Sequence, residues 1–405
     1  MQQPSLFVRV AAAFALSLPI ACRDAASSGP APQRSAPEST PSPAAPGEPK
    51  HAVDAVPGKK PGSPPAPAPA TPAPAQPAQL VSVQRSRTMM GTIIQMTSLG
   101  VPEAQAGPVL EAALDEMQRL EGALSEWKPD SDVSRVNAAA GDHPVQVGPD
   151  MLENVKVGLE VARWSDGAFD LSWAALRGLY LFQQGQERVP TDAELKARLA
   201  LVGYKDIVLD EAKSTVFLRR KGMALGLGGI AKGYALEKAA NLLRARGIDN
   251  YMIFGGGQVL VHGMKGDRPW RVGVQHPRLN DYFGFVQATS GSIATSGDYE
   301  HAFIRDGVRW HHIIDLKTGR PVTHTASVTV VSESAFYADA IDTALFIMGP
   351  KKALAKLASA PGPKAEVLIV GSDMQLYMSP GMKERLIIRA NLTDGKLPLS
   401  EDQLH

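Results

Sequence analysis

The chain has 405 residues, and its 42 lysine and arginine residues nearly balance 41 aspartate and glutamate residues, which gives a net charge of +1. This balance lacks the basic surface that nucleic-acid binding requires, so nucleic acid is excluded as a partner. Hydrophobic residues make up 44% of the chain, which excludes a collagen-like or wholly disordered protein. The single cysteine, Cys22, excludes an intramolecular disulfide and a thiolate metal cluster, so any metal must be bound by oxygen or imidazole.

Residues 1–21 have the pattern of a secretory signal peptide. Arg9 precedes an apolar run over residues 10–18, which is too short to span a bilayer. Residues 18–22 (LPIAC) resemble a bacterial lipobox, although Leu18 lies one position earlier than is usual. We therefore expect lipidation of Cys22 and a cell-envelope location, with the protein anchored to a bacterial membrane and facing the periplasm. Ordinary secretion with an unmodified cysteine is the alternative.

A linker rich in proline and alanine follows, over residues 22–80. The stretch from residue 23 to residue 79 holds 16 of the 32 prolines, and such a composition favours extended polyproline II rather than a packed core. We interpret it as a disordered tether that holds a folded domain, residues 81–405, away from the membrane.

The folded part predicts strands and helices that intermix without a strict βαβ alternation. Apolar residues at three- and four-residue spacing predict a helix over residues 102–124, beginning with Val109 and Leu110. Further helices are predicted over residues 149–164, 172–183, 191–202, 231–246, 335–346 and 351–358. A strand or hairpin is predicted over residues 81–97, and strands over residues 206–209, 215–218, 251–254, 258–261, 270–274, 285–288, 307–314, 326–331, 365–370 and 375–378. The fold class is therefore α+β rather than a doubly wound dinucleotide-binding sheet.

Two glycine clusters are candidate ligand sites. Residues 226–234 (GLGGIAKGY) run directly into a predicted helix, where backbone amides and the charge of Lys232 would suit a phosphate. The sequence matches neither the Walker motif nor the dinucleotide fingerprint, and a simple turn is the alternative. Residues 254–258 (FGGGQ) lie between two predicted strands, where a hairpin turn is the simpler interpretation.

Acidic and hydroxyl side chains share one face of the predicted helix over residues 335–346. Asp339, Asp342 and Thr343 are separated by three or four residues, and hard oxygen ligands of this kind suit Mg²⁺. The surrounding residues are apolar, which predicts a largely buried helix whose acids need a partner.

A histidine pair offers a general base, because imidazole titrates near neutral pH. His311 and His312 lie in residues 310–315 (WHHIID), after residues 295–300 (TSGDYE). Either could remove a proton from a hydroxyl group, and a structural role is the alternative for each.

The order of these motifs along the chain resembles the ApbE family of FAD:protein FMN transferases. Eight segments carry the resemblance, and it extends from about residue 85 to residue 349. They are residues 90–92 (MGT), 125–127 (SEW), 131–137 (SDVSRVN), 167–170 (GAFD), 228–235 (GGIAKGYA), 295–300, 311–315 and 338–344 (ADAIDTA).

This resemblance implies an ApbE-type, T-fold-like α+β domain that binds FAD and Mg²⁺. It also implies transfer of the FMN moiety to a threonine or serine hydroxyl of another protein, with release of AMP. The acceptors would be proteins of membrane redox complexes that carry a Ser/Thr flavinylation motif. The FAD site would be lined by Met90, Trp127, Ala168, Phe169, Asp170, Lys232, His312 and Ile313. The metal would be held by Asp339, Thr343 and the carbonyl of Gly229, with Asp342 as an additional oxygen ligand, and His312 would be the general base.

The chain departs from the family pattern at three positions. Gly226 and Gln258 stand where the family usually has aspartate, and Leu316 stands where proline usually follows Asp315. The first two changes remove carboxylates expected near the nucleotide. Two alternatives therefore accompany the transferase: an FAD pyrophosphatase, in which water replaces the acceptor hydroxyl, and a lipoprotein that binds flavin without catalysis.

Overall fold

The structure, a computed structural model, describes residues 80–400. The predicted signal peptide, the lipidation of Cys22 and the tether as far as residue 79 lie outside the described residues. Within residues 80–400, none of the helices is both long enough and apolar enough to cross a bilayer.

The described residues form strands, helices and two short 3-10 helices. The strands are β1 (Ser82–Met89), β2 (Thr92–Leu99), β3 (Val145–Gln146), β4 (Ile207–Asp210), β5 (Thr215–Leu218), β6 (Tyr251–Gly255), β7 (Gln258–His262), β8 (Trp270–Gln275), β9 (Tyr282–Ala288), β10 (Ser290–Gly297), β11 (Ala302–Arg305), β12 (Val308–His311), β13 (Ile314–Asp315), β14 (Arg320–Pro321), β15 (Thr325–Ser332), β16 (Ala365–Gly371), β17 (Leu376–Met378) and β18 (Leu386–Ile388). The α-helices are α1 (Glu103–Leu124), α2 (Asp132–Ala138), α3 (Pro149–Trp164), α4 (Asp192–Leu199), α5 (Ala231–Ala245), α6 (Ala335–Met348), α7 (Pro350–Leu357) and α8 (Pro380–Arg385). The 3-10 helices are Leu171–Leu176 and Tyr204–Asp206.

An eight-stranded sheet organises the domain, in the order β1-β2-β6-β7-β10-β15-β16-β17. Every neighbouring pair in this sheet is antiparallel. The prediction of an α+β fold without a doubly wound parallel sheet is therefore confirmed.

Both faces of the large sheet are covered. Helices α1, α3 and α5 pack over one core with β2 and β6, and α6 and α7 pack over another with β15 and β16. The opposite face packs against a second sheet in the order β18-β9-β8. Strands β15 and β16 are buried at every position, because a strand covered on both faces needs no polar side.

Most predicted elements are present, and the differences have local causes. The apolar spacing predicted for α1 is confirmed, since Val109, Leu110 and Leu120 are all buried. The helix predicted over residues 172–183 is wrong: a 3-10 helix ends at Leu176, and Gly178 follows with a φ of 79°. The predicted strand over residues 307–314 is divided between β12 and β13.

Helices α5 and α6 approach each other closely at Gly233. A methyl group on its Cα would lie 2.2 Å from the carbonyl oxygen of Ala335 and 2.7 Å from Cβ of Asp339. Only glycine permits this spacing, and its amide donates a hydrogen bond of 2.9 Å to Oδ2 of Asp339. The contact therefore fixes the position of Asp339 relative to α5.

We predict that Gly233→Ala destabilises the protein by about 1–3 kcal/mol, because α5 and α6 must separate to accommodate the methyl group. Gly122→Ala is the matched control, since Gly122 also lies in a helix and a methyl group on its Cα would have no atom within 4 Å. That control should raise the stability by up to about 1 kcal/mol. Urea unfolding of the purified variants measures both changes, and equal stability of the two variants would contradict the packing account.

Candidate active site

The glycine-rich loop over residues 226–230 leads into α5 and places Lys232 in its first turn. The Lys232 ammonium donates a hydrogen bond of 3.0 Å to the carbonyl oxygen of Gly228 and lies 3.5 Å from Oδ1 of Asp339. The two sequence motifs at residues 228–235 and 338–344 are therefore joined by a direct ion pair and by the Gly233 hydrogen bond.

Two buried carboxylates lie on α6 beside this loop. Asp339 is 6% exposed and Asp342 is 3% exposed. Burial, together with the neighbouring Asp339, raises the pKa of Asp342 well above its ordinary value. Thr343 donates a hydrogen bond of 3.1 Å from its hydroxyl to Oδ1 of Asp342. A methyl group on Gly229 would lie 3.6 Å from Oγ1 of Thr343, so this loop residue is adjacent to the acidic helix.

The donor set suits a hard divalent cation. Two buried carboxylates face a single lysine ammonium, so the local charge is not balanced by the ion pair alone. Carboxylate, hydroxyl and carbonyl oxygens are the ligands that Mg²⁺ prefers, and it commonly takes only one or two protein carboxylates. No group of three or more histidine, cysteine, aspartate or glutamate residues arranged for a metal occurs within residues 80–400, so a site with a richer protein ligand set is not present there.

The two adjacent histidines have different environments. His311 is 1% exposed, its Nε2 donates 2.8 Å to the carbonyl oxygen of Val322, and its Nδ1 accepts from the amide of Ile313. His312 is exposed, and its Nδ1 donates 3.0 Å to the carbonyl oxygen of Glu300. In the part of the chain that the structure describes, Nε2 of His312 has no hydrogen-bond partner. Of these two histidines, His312 therefore has the ring nitrogen available for a reacting hydroxyl.

The surroundings of His312 favour the neutral imidazole. Desolvation by neighbouring protein atoms, the His301 ring 5.4 Å away and the charge of Lys232 all lower the pKa of His312 below its ordinary value. Because Nδ1 carries the proton that it donates to Glu300, Nε2 presents a lone pair. This is the protonation state that a general base requires.

The segment over residues 168–170 borders the same region. Phe169 is buried, and its ring lies 3.2 Å from the position of a methyl group on Gly229. Asp170 is also buried, with both carboxylate oxygens accepting hydrogen bonds from the protein: Oδ1 from Ser172, and Oδ2 from the amide of Tyr204. Asp170 thus fixes the turn that presents Phe169, while Ala168 beside it is partly exposed.

The remaining predicted FAD-lining residues lie at different depths. Trp127 is 76% exposed, and the guanidinium of Arg177 lies 4.8 Å from the centre of its ring. The two residues border a groove of about 620 Å³ together with Tyr180. Met90 occupies the turn between β1 and β2 at a φ of 52°, whereas Ile313 is buried beside His312.

A model of the ApbE family matches residues 90–369. The chain belongs to the ApbE family. It is 33% identical over 313 residues to an FAD:protein FMN transferase of Klebsiella pneumoniae, covering 75% of this chain and 89% of that relative. It is also 30% identical over 319 residues to an FAD:protein FMN transferase of Escherichia coli, covering 77% and 91% of the two chains.

Solved structures of ApbE proteins have the same fold. The ApbE protein of Thermotoga maritima matches with a TM-score of 0.69 and 32% identity, over 76% of this chain and 99% of that one. The flavin transferase ApbE of Vibrio cholerae matches with a TM-score of 0.68 and 29% identity, over 76% of this chain and all of that one. The predicted ApbE-type fold is therefore confirmed.

The structure gives a local reason for two departures from the ApbE pattern. A methyl group on Gly226 would lie 2.8 Å from the indole of Trp173 and 2.9 Å from Oε2 of Glu126, so position 226 has no space for aspartate. Gln258 is buried, and its amide nitrogen donates 2.9 Å to Oγ of Ser292 and 2.7 Å to the carbonyl oxygen of Ala335. An ionised aspartate could not make these donations.

Three residues near the site were not predicted from the sequence. The Ser296 side chain lies near Asp342 and lowers its pKa, Glu300 accepts from His312 through its backbone carbonyl, and Glu126 lies beside Gly226. Ser296 and Glu300 belong to a motif that the sequence does identify, but nothing in the sequence links them to α6 or to the histidine.

We predict that His311→Ala lowers the free energy of unfolding by about 1–3 kcal/mol, because a buried ring and two hydrogen bonds are lost. His312→Ala should change it by less than about 1 kcal/mol, since that ring is exposed and makes one hydrogen bond. Thermal and urea unfolding of both variants test this. A larger loss of stability in His312→Ala would show that the two roles are assigned the wrong way round.

Proposed function

We propose that this protein transfers the FMN moiety of FAD to a serine or threonine hydroxyl of an acceptor protein, with Mg²⁺ bound and AMP released. The observation that carries the proposal is the grouping of Lys232, Asp339 and Asp342 at the glycine-rich loop of an ApbE-family chain. Anionic pyrophosphate, a divalent cation and a lysine are chemically suited to such a group.

The reaction is a displacement at phosphorus. The acceptor oxygen bonds to the phosphorus of the FMN half of FAD, the bridging bond to the AMP phosphate breaks, and AMP leaves with the bond electrons. Nε2 of His312 takes the proton of the hydroxyl group. Lys232 offsets the negative charge of the phosphates, and the residues from Ala168 to Asp170 with Met90, Trp127 and Ile313 line the FAD site.

The metal would be held by the side chains of Asp339, Asp342 and Thr343 and by the carbonyl of Gly229. When bound, Mg²⁺ supplies charge neutralisation at the pyrophosphate oxygens. The raised pKa of Asp342 is consistent with this role, because a buried acid pair lacks sufficient positive charge in the protein alone.

The acceptors are proposed to be membrane redox proteins that carry a short Ser/Thr flavinylation motif. The N-terminal sequence supports a location in the cell envelope: the signal pattern of residues 1–21 precedes Cys22, the proposed site of lipidation. The proline-rich tether would give a lipid-anchored domain the reach to meet acceptors at the periplasmic face of the membrane.

We predict that His312→Ala retains FAD binding and lowers the flavinylation rate by about 10²–10⁴-fold, because the base is lost. The measurement pairs FAD titration with mass spectrometry of the acceptor over time. His143→Ala is the control, since His143 is exposed and pairs with its neighbour Asp142. Unchanged turnover of His312→Ala would rule out its role as the base.

We predict that Asp339→Ala raises the Mg²⁺ concentration for half-maximal turnover by at least about tenfold, since a carboxylate ligand is removed. Asp210→Ala removes a partly exposed carboxylate paired with Lys213 and should leave the Mg²⁺ dependence unchanged. Turnover measured over a range of Mg²⁺ concentrations gives the result. An identical Mg²⁺ dependence for Asp339→Ala and the wild type would contradict the ligand assignment.

A further inference from the structure

Glu126 is a buried acid directly beside the glycine-rich loop. Its side chain is 10% exposed, and Oε1 lies 2.6 Å from Nη2 of Arg177. The backbone amide of Leu227 also lies against the Glu126 carboxylate and lowers its pKa. A buried carboxylate is costly unless such partners stabilise it, so these contacts hold Glu126 in one position.

Glu126 and Trp173 together fill the space next to Gly226. Oε2 of Glu126 lies 2.9 Å, and the Trp173 indole 2.8 Å, from the position of a methyl group on Gly226. The indole nitrogen of Trp173 donates 3.0 Å to the carbonyl oxygen of Gly226, and the amide of Gly226 donates 2.8 Å to the carbonyl oxygen of Leu171. Both the carbonyl and the amide of Gly226 are therefore hydrogen-bonded, which fixes the start of the loop.

The loop that Glu126 contacts carries two groups of the proposed site. The carbonyl oxygen of Gly228 accepts from Lys232, and Gly229 adjoins Thr343. A shift of Leu227 would move both groups. Displacements of about 1 Å in a positioned site can reduce turnover by roughly 100-fold.

Arg177 links Glu126 to the groove that Trp127 borders. Its guanidinium pairs with Glu126 and also lies 4.8 Å from the ring centre of Trp127. Burial raises the pKa of Glu126, and the charge of Arg177 only partly opposes that rise. One ion pair therefore contacts the loop on one side and the exposed tryptophan on the other.

We propose that Glu126 is a positioning residue of the flavin-transfer site. Paired with Arg177, it packs against Gly226 and so sets the position of the loop that carries the Gly228 and Gly229 carbonyls. Its carboxylate lies next to Gly226, the position at which the family usually has an aspartate and this chain has no space for one. The proposal rests on the proposed function, but its structural part makes a prediction that does not require turnover.

The test compares Glu126→Ala with Glu126→Gln, whose side chain has the same size and can still pack against Gly226. Amide hydrogen exchange of residues 225–233 reports on the loop, and kcat and KM for FAD report on transfer. Glu211→Ala is the matched control, because Glu211 forms an exposed ion pair of 2.7 Å with Lys156. Arg177→Gln is a second probe should Glu126→Ala fail to fold.

We expect Glu126→Ala to speed exchange at Gly226, whose amide donates to the carbonyl oxygen of Leu171, by at least about tenfold and to lower kcat by about 10–100-fold. Glu126→Gln should keep exchange and kcat within about fivefold of the wild type, and Arg177→Gln should lie between the two. Unchanged exchange in Glu126→Ala, faster exchange with a wild-type kcat, or equal impairment of the alanine and glutamine variants would each overturn the proposal. If the wild type does not modify the acceptor, the proposed function fails, and the exchange data alone decide whether Glu126 holds the loop.

Discussion

The pair of buried carboxylates on α6 is the constraint on which the site depends. Asp339 and Asp342 are almost inaccessible to water, and two neighbouring acids in such a place repel each other. Asp339 is stabilised by the amide of Gly233 and the ammonium of Lys232, both from the first turn of α5. The close packing of α5 on α6 therefore serves the chemistry as well as the core, because it carries these donors to Asp339.

Other elements of the fold position the helices and the two histidines around this pair of carboxylates. The antiparallel sheet supports α5 and α6 over one face, and the histidines are the last residue of β12 and the residue that follows it. His311 is tied to the backbone through both ring nitrogens, whereas His312 is tied through one and presents the other. His311 therefore has a structural role and His312 a reactive one, because their ring nitrogens have different partners.

The sequence predicted those parts of the structure that depend on local pattern or on motif order. The apolar spacing of α1 identifies that helix directly, and the motifs single out the acids of α6 and Lys232, although not their proximity. The strand β10 was missed because its residues, SGSIATSG, are small and polar, and only its pairing with β7 and β15 makes it a strand. The lack of space at Gly226 could not be foreseen either, since Trp173 and Glu126 reach it from segments more than 50 residues away.

The most direct test of the account is AMP release from FAD and Mg²⁺ by the purified protein, with and without an acceptor protein that carries a Ser/Thr flavinylation motif. The account predicts AMP release that requires the acceptor, together with a covalent FMN mass on one acceptor hydroxyl. AMP released equally without the acceptor would instead indicate an FAD pyrophosphatase. Tight FAD binding without any AMP would contradict catalysis and indicate a flavin-binding protein.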